Sequence, residues 1–122
     1  MISNFNEEAQ EILVNAKIEM QELKHPYVGT EHLLLAILNS NTNLNQKLKE
    51  YNLTYNSFKK ELLNIIGKGT KKSEFFLYTP LLKKVLENAI LDSKDNNNGI
   101  VTTEHLFQAI LELGEGIAIR IL

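Results

Sequence analysis

The sequence predicts an all-α domain in which one helical unit is used twice, and three observations carry that reading. The stretch YVGTEHLLLAIL at residues 27–38 returns as IVTTEHLFQAIL at 100–111, matching at eight of twelve positions without a gap, at an offset of 73. Apolar residues outside these windows recur at helical spacing rather than in alternation. The one β-rich run, FFLY at 75–78, is short and leads straight into the helix start at Thr79-Pro80.

The first helix follows from Ala9, Ile12, Leu13, Ala16, Met20 and Leu23, one stripe of an amphipathic helix. Seventy-three residues on, Leu82, Val85, Leu86 and Ala89 repeat it. Asn6 is a natural N-cap for the first copy, and Thr79, followed by Pro80, for the second. After the loops HPYVG and NNNGIVT a second helix starts at Glu31 or Glu104, with Thr30 and Thr103 as expected caps. A third segment aligns Leu44 and Leu48 with Ile117 and Ile121. A fourth, TYNSFKKELLNIIG, has Thr54 as cap, Phe58, Leu62, Leu63, Ile65 and Ile66 as buried candidates, and Gly67 as a left-handed stop. One domain over 1–122 is expected, with repeat one at about 2–67, a linker at about 68–74 and repeat two at about 75–122. Repeat arithmetic places an eighth helix at about residues 127–140, so the chain reads as a fragment whose last helix is missing.

Composition narrows the function. With 43% apolar residues the chain can build one compact core, and no stretch approaches the roughly 20 apolar residues of a membrane span. Cysteine is absent, which removes disulfides and thiolate metal sites and makes the cytoplasm the simplest location. Thirteen basic and fifteen acidic residues are mixed along the chain, leaving no broad positive field for nucleic acid. Lys68, Lys71, Lys72 and nearby Lys59 or Lys60 read as solvated surface.

No catalytic or metal-binding residues are expected. IGKGTKKS fails as a phosphate-binding loop because Leu62 stands where the first glycine belongs, and GEGIAI follows a helix rather than a strand. His32 and His105 lack a second ligand one turn away and read as helix-start residues hydrogen-bonded within the bundle. Glu7 and Glu8 sit in a first turn, where the helix dipole favours them.

The repeated Thr-Glu pairs allow two readings. Thr30-Glu31 and Thr103-Glu104 serve as capping pairs, in which case losing one exposed first-turn carboxylate costs about 0.3–1 kcal/mol. Equally, a helix start with a hydroxyl and free N–H groups can hold a phosphate while the carboxylate holds a guanidinium, together fitting a phosphorylated arginine.

Taken together, GTEHLLLAIL, TTEHLFQAIL, FNEEAQEIL, IGKG, YTPLLKKVLENA and LGEGIAIRIL resemble the N-terminal domain of Clp ATPases, closest to the ClpC type, over essentially the whole chain. The resemblance implies two pseudo-twofold four-helix repeats riding on a hexameric unfoldase that uses ATP and Mg and feeds a ClpP-type protease, with no cofactor in this domain. It implies docking of a MecA-type adaptor and of phosphoarginine-bearing proteins, one site per repeat. Carried over by motif, the binding residues are Glu31 and Glu104, with Thr30 and Thr103 beside them, Asn6 and Thr79 at neighbouring helix starts, and Lys83 toward the phosphate. Thr102 stands where copy one has Gly29, which predicts an altered second pocket.

Two other functions compete. A module for unfolded hydrophobic segments or an adaptor would use apolar residues around Phe5, Phe75, Phe76 and Tyr78, as in a ClpB-like domain. A free-standing helical regulator would need no ATPase.

Overall fold

The computed structural model describes residues 4–122; the expected start of repeat one near residue 2 lies outside them. Seven helices follow in order: α1 (Glu7–Glu22), α2 (Thr30–Leu38), α3 (Asn43–Glu50), α4 (Tyr55–Ile66), α5 (Pro80–Asn96), α6 (Thr103–Leu113) and α7 (Ile117–Ile121). The first repeat contributes four and the second three. No described helix is long and apolar enough to cross a membrane.

The α1 stripe from Ala9 to Leu23 is buried throughout, and so is its α5 counterpart of Leu82, Val85, Leu86 and Ala89. Helices α1 and α2 form one hairpin, and α5 and α6 the other. Helix α2 is the centre of the molecule and packs against all six other helices. Its run from Leu33 to Leu38 is apolar on every side and fully buried, as a helix without a polar face must be. The matching α6 keeps one wet face, with Gln108 exposed.

Two isolated parallel bridges, Phe5↔Val101 and Val28↔Tyr78, join the loops without forming a strand among the described residues. The 73-residue offset turns one into the other. Asn6 N–H donates to Val101 O at 3.0 Å and Thr79 N–H to Val28 O at 2.9 Å, so each repeat begins on the loop of its partner. This exchange fixes the pseudo-twofold axis and sets the start of α1 beside the start of α6, and that of α5 beside that of α2.

Asn6, Thr54 and Thr79 cap as expected, accepting from Ala9, Ser57 and Leu82 N–H. Thr30 and Thr103 do not: the caps are Gly29 and Thr102, and the two expected threonines are the first helical residues, both buried. The Ile65 and Ile66 side chains are 45% and 43% exposed rather than buried, because Phe58 and Leu62 turn the core face of α4 and the last turn faces outward. Phe5 is buried, whereas Phe75 (68%) and Phe76 (42%) lie exposed ahead of α5. Buried Glu19 accepts from Tyr55 Oη at 2.8 Å, tying α1 to α4.

The IGKG glycines are structural. Gly67 ends α4 at φ +66, and its carbonyl accepts from His25 Nε2 at 2.7 Å. Gly69 N–H donates to Leu23 O at 2.9 Å, and a Cβ at Gly69 would fall on the Lys24 carbonyl. Gly69→Ala must therefore move backbone, and a loss of about 1–3 kcal/mol in urea unfolding is expected.

Candidate functional site

The sites expected at Thr-Glu are assembled across the two repeats. At the first, Thr30 of α2 lies toward the first turn of α5. Gly116 marks the gap between them, since a Cβ there would lie 3.1 Å from Leu81 Cδ1 and 3.5 Å from Thr30 Oγ1. Thr79 caps α5 at this corner, and Lys83 is exposed four residues on. At the second, Thr103 of α6 meets the first turn of α1, where Asn6 is the cap, and Thr103 Oγ1 donates to Glu8 Oε1 at 2.6 Å. Thr30 and the Thr79 cap thus lie at one pair of neighbouring helix starts, and Thr103 and the Asn6 cap at the other.

The histidine of each motif closes its helix start. Gly29 N–H donates to His32 Nδ1 at 2.9 Å and Thr102 N–H to His105 Nδ1 at 3.0 Å, the reach-back bond that Glu or Gln supplies in an ordinary capping box. His32 then carries its proton on Nε2 and donates it to His25 Nδ1 at 2.8 Å, and His25 Nε2–H goes on to Gly67 O. Burial, followed by the neighbouring His25, pushes His32 down to about 3, so it stays neutral at neutral pH. His105 Nε2 reaches Asn96 Oδ1 at 2.7 Å instead.

Glu31 is not the exposed first-turn carboxylate expected from sequence. It is half-buried and folds back over Gly29, where any Cβ would land on Glu31 Oε1. Burial raises its pKa above the usual 4.5, opposed by its own backbone N–H and by His25. Among the described residues, no other side chain hydrogen-bonds this carboxylate. Glu104, beside Thr102, is exposed.

His25 escaped the sequence reading, as did the contact of Glu8 with Thr103 and the space that Gly29 leaves for Glu31. Glu8 was visible in principle, since the 73-residue offset aligns it with Leu81 and so flags a charge difference between the copies. A surface depression of about 510 Å³ along the linker between Lys24 and Phe75 is lined by none of the expected site residues.

Two helical repeats joined by reciprocal bridges, with a Thr-Glu-His helix start in each, agree with a match of residues 4–122 to the Clp repeat (R) N-terminal domain family. The chain belongs to that family. This Clp N-domain is 34% identical to the negative regulator of genetic competence ClpC/MecB of Bacillus subtilis (strain 168), over all of the chain and 15% of that protein. It is 38% identical to the ATP-dependent Clp protease ATP-binding subunit ClpA homolog of Cyanidium caldarium, over all of the chain and 14% of that protein. The chain therefore spans about one seventh of these relatives. The same fold occurs in the crystal structure of the ClpD N-terminal domain from Arabidopsis thaliana, with a TM-score of 0.81 at 19% identity, covering all of this chain and 87% of that one.

Proposed function

We propose that this Clp N-domain is the receiving module of a ClpC-type unfoldase and binds phosphoarginine on its clients at the Thr30-Glu31 corner. The observation that carries the reading is Glu31 itself, a half-buried carboxylate that folds over Gly29 at a raised pKa and, among the described residues, takes no side-chain hydrogen bond. A group kept in so costly a state suits a guanidinium that arrives from outside. The start of α5, with Thr79 and exposed Lys83 and no acid in its first turn, suits the attached phosphate. In the parent protein, ATP and Mg would drive a hexamer that passes clients to a ClpP-type protease in the cytoplasm, and a MecA-type adaptor would dock on this domain.

A second reading has its own support. Phe75, Phe76 and Leu77 are exposed in sequence, and Lys17 Nζ stands 5.9 Å from the Phe76 ring centre, so unmodified apolar segments or an adaptor have a surface to meet. Retention on the immobilised domain separates the two. A carrier protein phosphorylated on arginine should be held and the same protein after phosphatase treatment released. Equal retention of both, lost in Phe75→Ser/Phe76→Ser, would favour the apolar surface.

A further inference from the structure

We infer that the two repeats are not equivalent receptors: the chain takes one phosphoarginine, at Glu31, and Glu8 with Gln10 closes the second corner to phosphate. This rests on the function proposed above and concerns which of its two corners works.

The offset of 73 aligns the opening turns of α1 and α5 residue by residue. Glu7, Glu8, Gln10 and Glu11 stand opposite Pro80, Leu81, Lys83 and Lys84. These positions carry a formal charge of −3 at the second corner and +2 at the first. A phosphate brings a further charge of about −1.5 to −2 at neutral pH, so the α5 start attracts what the α1 start repels. The helix dipole favours an anion at both starts, but Glu7 and Glu8 already place carboxylates on α1.

Hydrogen bonding points the same way. Thr103 Oγ1 is committed to Glu8 Oε1 at 2.6 Å, whereas Thr30 Oγ1 faces Leu81 and the gap left by Gly116. Gln10, in the place of Lys83, spends its amide on Phe5 O at 2.8 Å. Thr102, in the place of Gly29, fills the position over which Glu31 folds, and its hydroxyl lies 2.9 Å from His105 Nδ1. Glu104 is accordingly left exposed rather than held half-buried for a guanidinium.

The test is an amide-resolved NMR titration of this chain with free phosphoarginine. Saturable shifts are expected at Thr30, Glu31, Thr79 and Lys83, with none at Asn6, Thr103 or Glu104. Glu104→Ala should change affinity less than twofold, and Glu8→Leu/Gln10→Lys should add the second group of shifts and raise the stoichiometry from one to two. Comparable saturation of both groups in the unaltered chain would overturn this inference and leave the phosphoarginine reading standing. Shifts in neither group would overturn both. A folded Glu8→Leu/Gln10→Lys variant that still binds at one corner would remove Glu8 and Gln10 as the determinants.

Discussion

Replacing Glu31 with alanine is expected to weaken phosphoarginine binding by about 2–4 kcal/mol, roughly 30- to 1000-fold, because it strands the ligand's guanidinium in a partly desolvated corner. The same change should leave the fold as stable as before, or up to about 1 kcal/mol more stable. The carboxylate loses solvation on folding, as its raised pKa records, and this offsets what it gains from the helix dipole. Anisotropy of a labelled phosphoarginine peptide reads the first effect and urea unfolding the second. A variant that binds normally returns Glu31 to capping, and one that unfolds makes it a structural residue.

The second large effect is acid sensitivity. His32 titrates near 6.5 in the unfolded chain and at about 3 in the folded one. The unfolded state thus binds the extra proton first, so the contribution of neutral His32 is intact above about 6.5 and is lost as pH falls toward 3. The slope is about 1.4 kcal/mol per pH unit, so the His32 contribution is about 2 kcal/mol smaller at pH 5 than at pH 7.5. Glu19 and Glu31 act in the opposite sense, since burial raises both above 4.5 and their protonation favours the folded state. His32→Gln should flatten the slope between pH 5 and 7.5, because glutamine keeps the reach-back bond to Gly29 N–H without titrating there. An unchanged slope in that variant would place the acid sensitivity elsewhere.

Much of the fold was legible because its determinants are local. The α1 stripe and the caps Asn6, Thr54 and Thr79 depend on spacing and on side chains that reach only three residues. Thr30 and Thr103 misled by one position because each motif closes its helix with histidine, and the cap can then be Gly29, which has no side chain to recognise. The central place of α2 could be suspected from its unbroken apolar run, but which helices cover it is a tertiary fact. Ile65 and Ile66 read as core because they are large and apolar, yet the last turn of α4 leaves both exposed.

The doubled Thr-Glu marked two helix starts, and the reciprocal bridges set which helix start neighbours each one. The burial of Glu31 was not legible, because it depends on space left by Gly29 rather than on any property of the glutamate. Nor was the pairing of Glu8 with Thr103, which lie 95 residues apart.

Calorimetric titration of the unaltered domain with free phosphoarginine, beside arginine and phosphoserine, tests the central claim most directly. Saturable one-to-one binding of phosphoarginine, with arginine and phosphoserine each far weaker, is the predicted result, since guanidinium and phosphate must be read together. Phosphoserine binding as tightly as phosphoarginine, or no heat from any of the three in a folded sample, would contradict it.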